Sequence, residues 1–221
     1  MKLLVPNQSR QPAPGGGQGF YRMPAARRGC VHRSATALVK KDDIINGVLP
    51  QFFPKHWLDE PGIVFTDFPS RIRIGYVLRS DGGYSYMMER EFPELGLSVE
   101  ELHAMALANL ARLASASITI GKVPGGWEGW ISAKEDNFAA VRILLPSVQQ
   151  EFREGLGEGF LFVLPHRDWC FCWSLAQSPE RQSKHAEEAL EDFLEDDYNL
   201  TPDILLCSHH GFSLHREQVV A

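Results

Sequence analysis

Apolar residues recur every three or four positions along one stretch of the chain, at Val99, Leu102, Ala106, Leu110 and Leu113. This spacing puts them on one side of a helix and predicts an amphipathic helix packed against a core. Ser98 precedes the pattern and Glu101 follows Ser98 by three positions. The pair matches a capping box, in which each side chain bonds the backbone amide of the other residue.

Short runs of β-branched and aromatic residues predict strands on both sides of this helix. Residues 71–78 and 84–88 flank the turn residues Asp81-Gly82-Gly83 and are expected to form a hairpin. Residues 121–129 contain Pro124, Gly125 and Gly126 and predict a loop. The other predicted strands are residues 63–65, 117–120, 127–131, 160–163, 169–173, 203–207 and 212–214.

Three further helices are predicted. A short one covers residues 44–49 before Pro50, a second covers residues 147–155, and a third begins at Pro179 after the capping residue Ser178. The order hairpin, helix, strand therefore occurs twice. The predicted fold class is α+β, with a largely antiparallel sheet, helices packed on one face, and two hairpin–helix–strand units as one interpretation.

Charge divides the chain into two parts. The 221 residues carry a net charge of −6, but residues 1–41 hold eight basic residues and no acidic one, so the remainder carries −14. We interpret residues 1–41 as a disordered basic tail or a start assigned too early, with Met23 as the alternative start. A transit peptide and an arm that touches nucleic acid are the two other interpretations. Residues 42–217 are predicted to form a single α+β domain.

Composition narrows the cellular setting. No run of apolar residues is long enough to span a bilayer, and the short apolar run after Lys2 does not form a signal-peptide core. Four cysteines in a chain of this length do not indicate a disulfide framework. We therefore expect a cytoplasmic protein with reduced thiols.

Two separated segments resemble a known family. Residues 94–103 (ELGLSVEELH) with 106–110 (ALANL), and residues 136–145 (DNFAAVRILL) followed by 162–169 (FVLPHRDW), are similar to signatures of the YtpQ-like family of uncharacterised bacterial proteins, a domain of unknown function. The resemblance covers residues 42–216 and implies a fold and a bacterial cytosolic setting. It implies no site, because the family has no established activity.

The first chemical candidate is a thiol and imidazole set. Cys170 and Cys172 lie on the same side of a predicted strand, opposite its three aromatic residues, and Cys207 is followed closely by His209 and His210. Such ligands could bind zinc if the two strands were neighbours. The spacing of the first two cysteines is not that of a zinc knuckle, and buried cysteines are common in cores, so core packing is the favoured interpretation.

The second candidate is a polar turn. His166, Arg167 and Asp168 could line a pocket at the end of a hairpin, with His103 or His209 as a partner in proton transfer. Asp168 is also an ordinary turn residue, and it could form a local ion pair with Arg167. We expect Asn109 to bond a neighbouring strand, and we expect the acidic run after residue 186 to be a solvated helix face.

No motif for a dinucleotide, a Walker loop, an EF-hand or a nucleophile elbow is present. The favoured function is a non-enzymatic cytosolic protein-interaction domain that uses exposed aromatics among Trp127, Trp130, Trp169 and Trp173. The alternative is a metal-dependent or hydrolase-like enzyme that uses the candidates near residues 166–172 and 207–210. We expect an unknown protein partner, no cofactor, no membrane, and nucleic acid only through the basic tail.

Overall fold

The structure, a computed structural model, describes residues 41–57, 62–80, 83–91, 95–113, 116–132, 137–195 and 198–220. The predicted basic tail lies outside these ranges except for Lys41. The helices are α1 (Lys41–Gly47), α2 (Val99–Arg112), α3 (Pro146–Leu156) and α4 (Pro179–Glu195). Short 3-10 helices cover Lys55–Trp57, Glu89–Glu91 and Ala140–Leu144.

Within the described ranges, ten strands form two sheets whose pairings are all antiparallel. The first sheet contains β1 (Val48–Pro54), β2 (Phe65–Asp67), β3 (Ile72–Ser80) and β4 (Gly83–Tyr86). The second contains β5 (Ser117–Val123), β6 (Gly126–Ser132), β7 (Phe160–His166), β8 (Trp169–Ser174), β9 (Asn199–Ser208) and β10 (Gly211–Arg216). The predicted α+β class with antiparallel sheets is confirmed.

In the first sheet β3 pairs with the other three strands. β1 lies along one side of β3, and β2 and β4 follow one another along its other side. Helix α2 packs on β1. Its predicted capping box is present: Ser98 Oγ accepts a bond from the Glu101 amide at 3.2 Å, and Glu101 Oε2 accepts one from the Ser98 amide at 2.8 Å.

The second sheet has the strand order β10-β9-β7-β8-β6-β5. One face carries Phe160, Phe162, Cys170 and Cys172 and belongs to the core shared with α3 and the first sheet. The opposite face carries a second cluster, in which Ala186 and Ala189 of α4 pack on Leu161, Val163, Trp173 and Ile204. The predicted alternation of residues 169–173 is therefore confirmed.

The helices do not share one face of one sheet as expected. Helix α2 lies against β1, whereas α4 lies against β7 and β9 of the other sheet. The order hairpin, helix, strand does occur twice, but the pairings differ. The strand after α4 returns beside its own hairpin, whereas the strand after α2 joins the second sheet. Two amphipathic helices can cover one face of a single sheet together, or each can cover a different sheet. The hydrophobic pattern of the sequence does not distinguish these two arrangements.

Two local predictions were wrong. The first helix ends at Gly47, and the residues after it form the buried strand β1, which contains Pro50 and Pro54. Among the described strands β1 pairs with β3 alone, so it is an edge strand, and edge strands tolerate prolines. The expected loop of residues 121–129 is a hairpin whose turn is confined to Pro124 and Gly125. Gly125 has φ 96°, a value that favours glycine.

No helix among the described residues is both long enough and apolar enough to cross a membrane.

Candidate functional site

The three described cysteines lie in the core of the second sheet. Cys170 Sγ and Cys172 Sγ are 3.7 Å apart on β8, and both side chains are fully buried. Burial, with Cys170 beside it, raises the pKa of Cys172 well above its ordinary value. Burial also raises the pKa of Cys207, although Arg153 Nη2, which lies 3.7 Å from its sulfur, acts in the opposite direction. The thiols of Cys172 and Cys207 are therefore held in their neutral form.

The two histidines of this predicted set lie elsewhere. His209 and His210 are exposed in the turn between β9 and β10, with their ring centroids 3.9 Å apart. Within the described ranges, no three His, Cys, Asp or Glu side chains come together as metal ligands. The structure thus places the free thiols of Cys170 and Cys172 side by side and leaves both histidines at the surface. Zinc binding by these residues stays a prediction without a ligand geometry to support it.

His166 ends β7, and Asp168 lies in the turn between β7 and β8. The Asp168 amide donates to His166 Nδ1 at 3.2 Å, and Asp168 Oδ1 lies 3.8 Å from Arg167 Nε. Arg167 also donates to the Tyr84 hydroxyl at 2.7 Å, and its guanidinium lies 3.8 Å above the Tyr198 ring. These contacts are those of a turn that ties the two sheets together.

His103 has its partners in the first sheet. Its Nδ1 is 3.0 Å from the Tyr76 hydroxyl, which also bonds Thr66 Oγ1 at 2.5 Å. Burial raises the pKa of Tyr76 to about 12 and lowers the pKa of His103. The hydrogen bond and ring contact of His103 with Tyr76 therefore lie in the first sheet, apart from the turn of His166 and Asp168. Asn109 donates to the carbonyls of Ile45 and Val48 and so has the structural bond expected of it.

A second buried polar group joins the two sheets. Asp203 of β9 accepts a bond at 2.5 Å from Ser70, which lies in the turn between β2 and β3. Ser70 has φ 76°, which is uncommon for a residue with a side chain. Thr201 Oγ1 lies 2.9 Å from the same hydroxyl, and the Gln218 amide donates to Asp203 at 2.8 Å. The cluster fixes the relative position of three chain segments.

A third set of polar side chains in the described part of the chain was not predicted from the sequence. We call it the Glu128 cluster: Glu128 of β6, Gln177 of the loop after β8, and Arg181 and His185 of α4. Glu128 Oε1 lies 2.7 Å from Arg181 Nε, 2.6 Å from Arg181 Nη2 and 2.9 Å from His185 Nε2. Gln177 donates to the same oxygen at 3.3 Å and lies 3.0 Å from His185 Nε2.

Three members of the Glu128 cluster, Glu128, Gln177 and His185, are buried, and Arg181 is partly exposed. Glu128 is 7% exposed and His185 is 4% exposed, and the His185 ring contacts Phe171 and Trp173 at centroid distances of 4.9 and 5.1 Å. A buried carboxylate is stable only when paired and hydrogen-bonded, and Arg181 and His185 supply these bonds. Since both partners belong to α4, the cluster anchors the first half of that helix to the sheet.

Beyond α4, the same face of the sheet carries aromatic side chains that the helix leaves partly uncovered. Trp130 lies opposite Phe171 and is 40% exposed, while Phe171 and the neighbouring Trp169 are half-buried. The ring centroids of Trp169 and Phe171 are 5.9 Å apart. We call Trp130, Trp169 and Phe171 the aromatic face. Trp127 is 43% exposed but lies on the other side of β6, and Trp173 is buried.

Comparison with known proteins gives a family resemblance. The chain is similar to the UPF0354 proteins. It is 30% identical over 142 residues to those of Bacillus cereus strain AH187 and Bacillus thuringiensis subsp. konkukian strain 97-27, and 29% identical to that of Bacillus anthracis. The matched part is 62% of this chain and 52% of each relative. The chain thus spans about half the length of the curated relatives it matches.

No family model matches the chain. No solved structure matches it. The expected resemblance to an uncharacterised bacterial family is confirmed, whereas the narrower YtpQ-like name stays a prediction. The name UPF0354 states no activity, so the comparisons do not assign a function to the Glu128 cluster or to the aromatic face.

Proposed function

We propose that this chain is a non-enzymatic, cytoplasmic protein-interaction domain whose contact surface is the aromatic face. The observation that carries the proposal is the 40% exposure of Trp130 beside Phe171, on the part of the sheet face that α4 does not cover. Large aromatic side chains dominate the binding energy of protein interfaces, and an exposed group of them marks an interaction surface.

The position of this surface supports the proposal. Trp130 pairs across to Thr119 of β5, and β5 is the last strand of the sheet. The aromatic face therefore extends to an edge and gives a partner access from the side. The Glu128 cluster anchors α4 and so keeps the other border of the surface in place. A surface held on paired strands loses little conformational entropy when it binds.

The enzyme alternative receives less support from the same contacts. The buried thiols, the turn of His166 and Asp168, and His103 with Tyr76 are three separate groups, each occupied by packing or hydrogen bonds of its own. A nucleophile next to an activating base, which a hydrolase needs, is not among the contacts found for these described residues.

The test uses the full chain and a display library of random peptides of about twelve residues. Selected peptides are synthesised and their affinity is measured for the wild type, Trp130→Ala and Trp127→Ala. We expect Trp130→Ala to weaken binding by about tenfold and Trp127→Ala to change it little, because the two rings are similarly exposed on opposite sides of one strand. Peptides that bind without any dependence on Trp130 would overturn the proposal. Circular dichroism melts check that both variants fold.

A further inference from the structure

We infer that the occupant of the aromatic face is a basic, extended peptide segment, whose arginine or lysine side chains lie over the exposed rings and beside the acidic side of α4. This inference rests on the proposed function and specifies its partner. It depends on two independent features, the aromatic rings of the sheet and the charges of the helix next to them.

The helix presents carboxylates to this surface. Arg181 and His185 mark the side of α4 that faces β6 and β8, because both contact Glu128. Helical spacing places Glu188 and Asp192 on the same side, one and two turns further on. Glu188 Oε2 lies 3.5 Å from His185 Nδ1, and the His185 ring in turn contacts Phe171. We call Glu188 and Asp192 the acidic border.

Charge changes sharply along α4. Beyond Lys184 the helix carries five acidic residues and no lysine or arginine: Glu187, Glu188, Glu191, Asp192 and Glu195. The negative end of the helix dipole lies in the same half and also favours a cation. Lys184 pairs with Glu188 at 3.6 Å, but both side chains are more than half exposed. Such a pair contributes little, so a ligand cation can replace the lysine.

Aromatic rings bordered by carboxylates are suited to cations. A guanidinium or ammonium group is attracted to the face of an aromatic ring, and a nearby carboxylate supplies the opposite charge. The chain itself contains this contact, with Arg167 over Tyr198 at 3.8 Å and Arg73 over Phe65 at 3.9 Å. The rings of Trp130 and Trp169 offer the same contact to a side chain of another molecule.

Charge also argues against two other occupants. Residues 42–221 carry a net charge of −14, so a second copy of this domain would bring like charges together. Nucleic acid would place phosphates beside the acidic border, where they would be repelled. A basic segment is the occupant whose charge complements this surface.

The experiment compares three synthetic peptides of equal length, in which alanine alternates with arginine, glutamine or glutamate. Each is labelled with fluorescein and titrated with the full chain by fluorescence anisotropy. We expect the arginine peptide alone to bind, with an affinity that falls as salt rises. Trp130→Ala should weaken it by about tenfold and Glu188→Gln by about threefold. Glu187→Gln removes the same charge one position earlier on α4, two residues after His185 and so on the opposite side of the helix, and should leave the affinity unchanged.

Three results would overturn the inference. The glutamine peptide could bind as tightly as the arginine peptide and through Trp130, which would leave the proposed function intact but remove the basic partner. Glu187→Gln could weaken binding as much as Glu188→Gln, which would mean diffuse attraction rather than a border. The arginine peptide could fail to bind while the display library yields Trp130-dependent ligands of another composition. If neither experiment yields a ligand that depends on Trp130, the proposed function fails as well.

Discussion

Replacing Glu128 by glutamine should destabilise the protein. Among the described residues, the Glu128 carboxylate is the one that bonds both Arg181 and His185, and the substitution removes its charge. Glutamine keeps the size of the side chain and one acceptor oxygen, but it loses the charge. Bonds to a charged group contribute about 1.5–3 kcal/mol each, and bonds between neutral groups contribute about 0.5–1.5 kcal/mol.

Two partners are affected: Arg181, which contacts the carboxylate through Nε and Nη2, and His185, which contacts it through Nε2. The expected loss in the free energy of unfolding is therefore about 2 kcal/mol. It is smaller than the loss of about 3–5 kcal/mol that follows when a charge is left buried and unpaired. The Arg181 side chain is 29% exposed and can turn its guanidinium toward water, whereas the buried His185 cannot.

Urea unfolding of the full chain, followed by tryptophan fluorescence, measures this loss. With a slope of about 2 kcal/mol per molar urea, the midpoint should fall by about 1 M. The control is Glu151→Gln, which removes an exposed charge from α3 and should change the free energy by less than about 0.5 kcal/mol. Arg181→Gln, alone and combined with Glu128→Gln, completes a double-mutant cycle with an expected coupling of at least about 0.5 kcal/mol.

Two results would refute this reasoning about the Glu128 cluster. A midpoint for Glu128→Gln within the range of the Glu151→Gln control would mean that the buried carboxylate adds nothing to stability. Strict additivity of the Glu128 and Arg181 substitutions would mean that the two side chains, although 2.6 Å apart, are not energetically coupled.

Three further outcomes follow from other contacts. Gly155→Ala should cost about 1–3 kcal/mol in the same urea experiment, because its Cβ would lie 2.6 Å from Ile120 Cγ2, and unchanged or increased stability would contradict this packing. Between pH 10 and 12 the wild type should lose at most about 3 kcal/mol of stability, because Tyr76 ionises at its ordinary pKa only when unfolded; Tyr76→Phe should not show this loss. In the native protein, Cys172 and Cys207 should resist iodoacetamide at pH 8 and react after unfolding in urea, as mass spectrometry of the labelled peptides would report.

The features that could be predicted from the sequence have local causes. The capping box needs only Ser98 and Glu101, and its two bonds form as predicted. The alternation of residues 169–173 needs only the period of a strand, and it correctly separates the buried thiols from the aromatic rings. Strand β1 was not predicted because its two prolines argue against a strand inside a sheet. They are compatible with an edge strand, but the sequence does not show that β1 lies at an edge.

The Glu128 cluster could not be predicted because it exists only in the assembled sheet. Glu128 is 49 residues from Gln177 and 53 from Arg181 along the chain. The partners meet because β6 pairs with β8, which sets Glu128 opposite Trp173, and because α4 then crosses that face. One trace was present in the sequence: Arg181 and His185 lie one turn apart on α4, directly after a strand of aromatic residues. A cation and an imidazole on the inner side of a helix need a buried acceptor, and Glu128, the acidic residue inside the tryptophan-rich strand β6, supplies it.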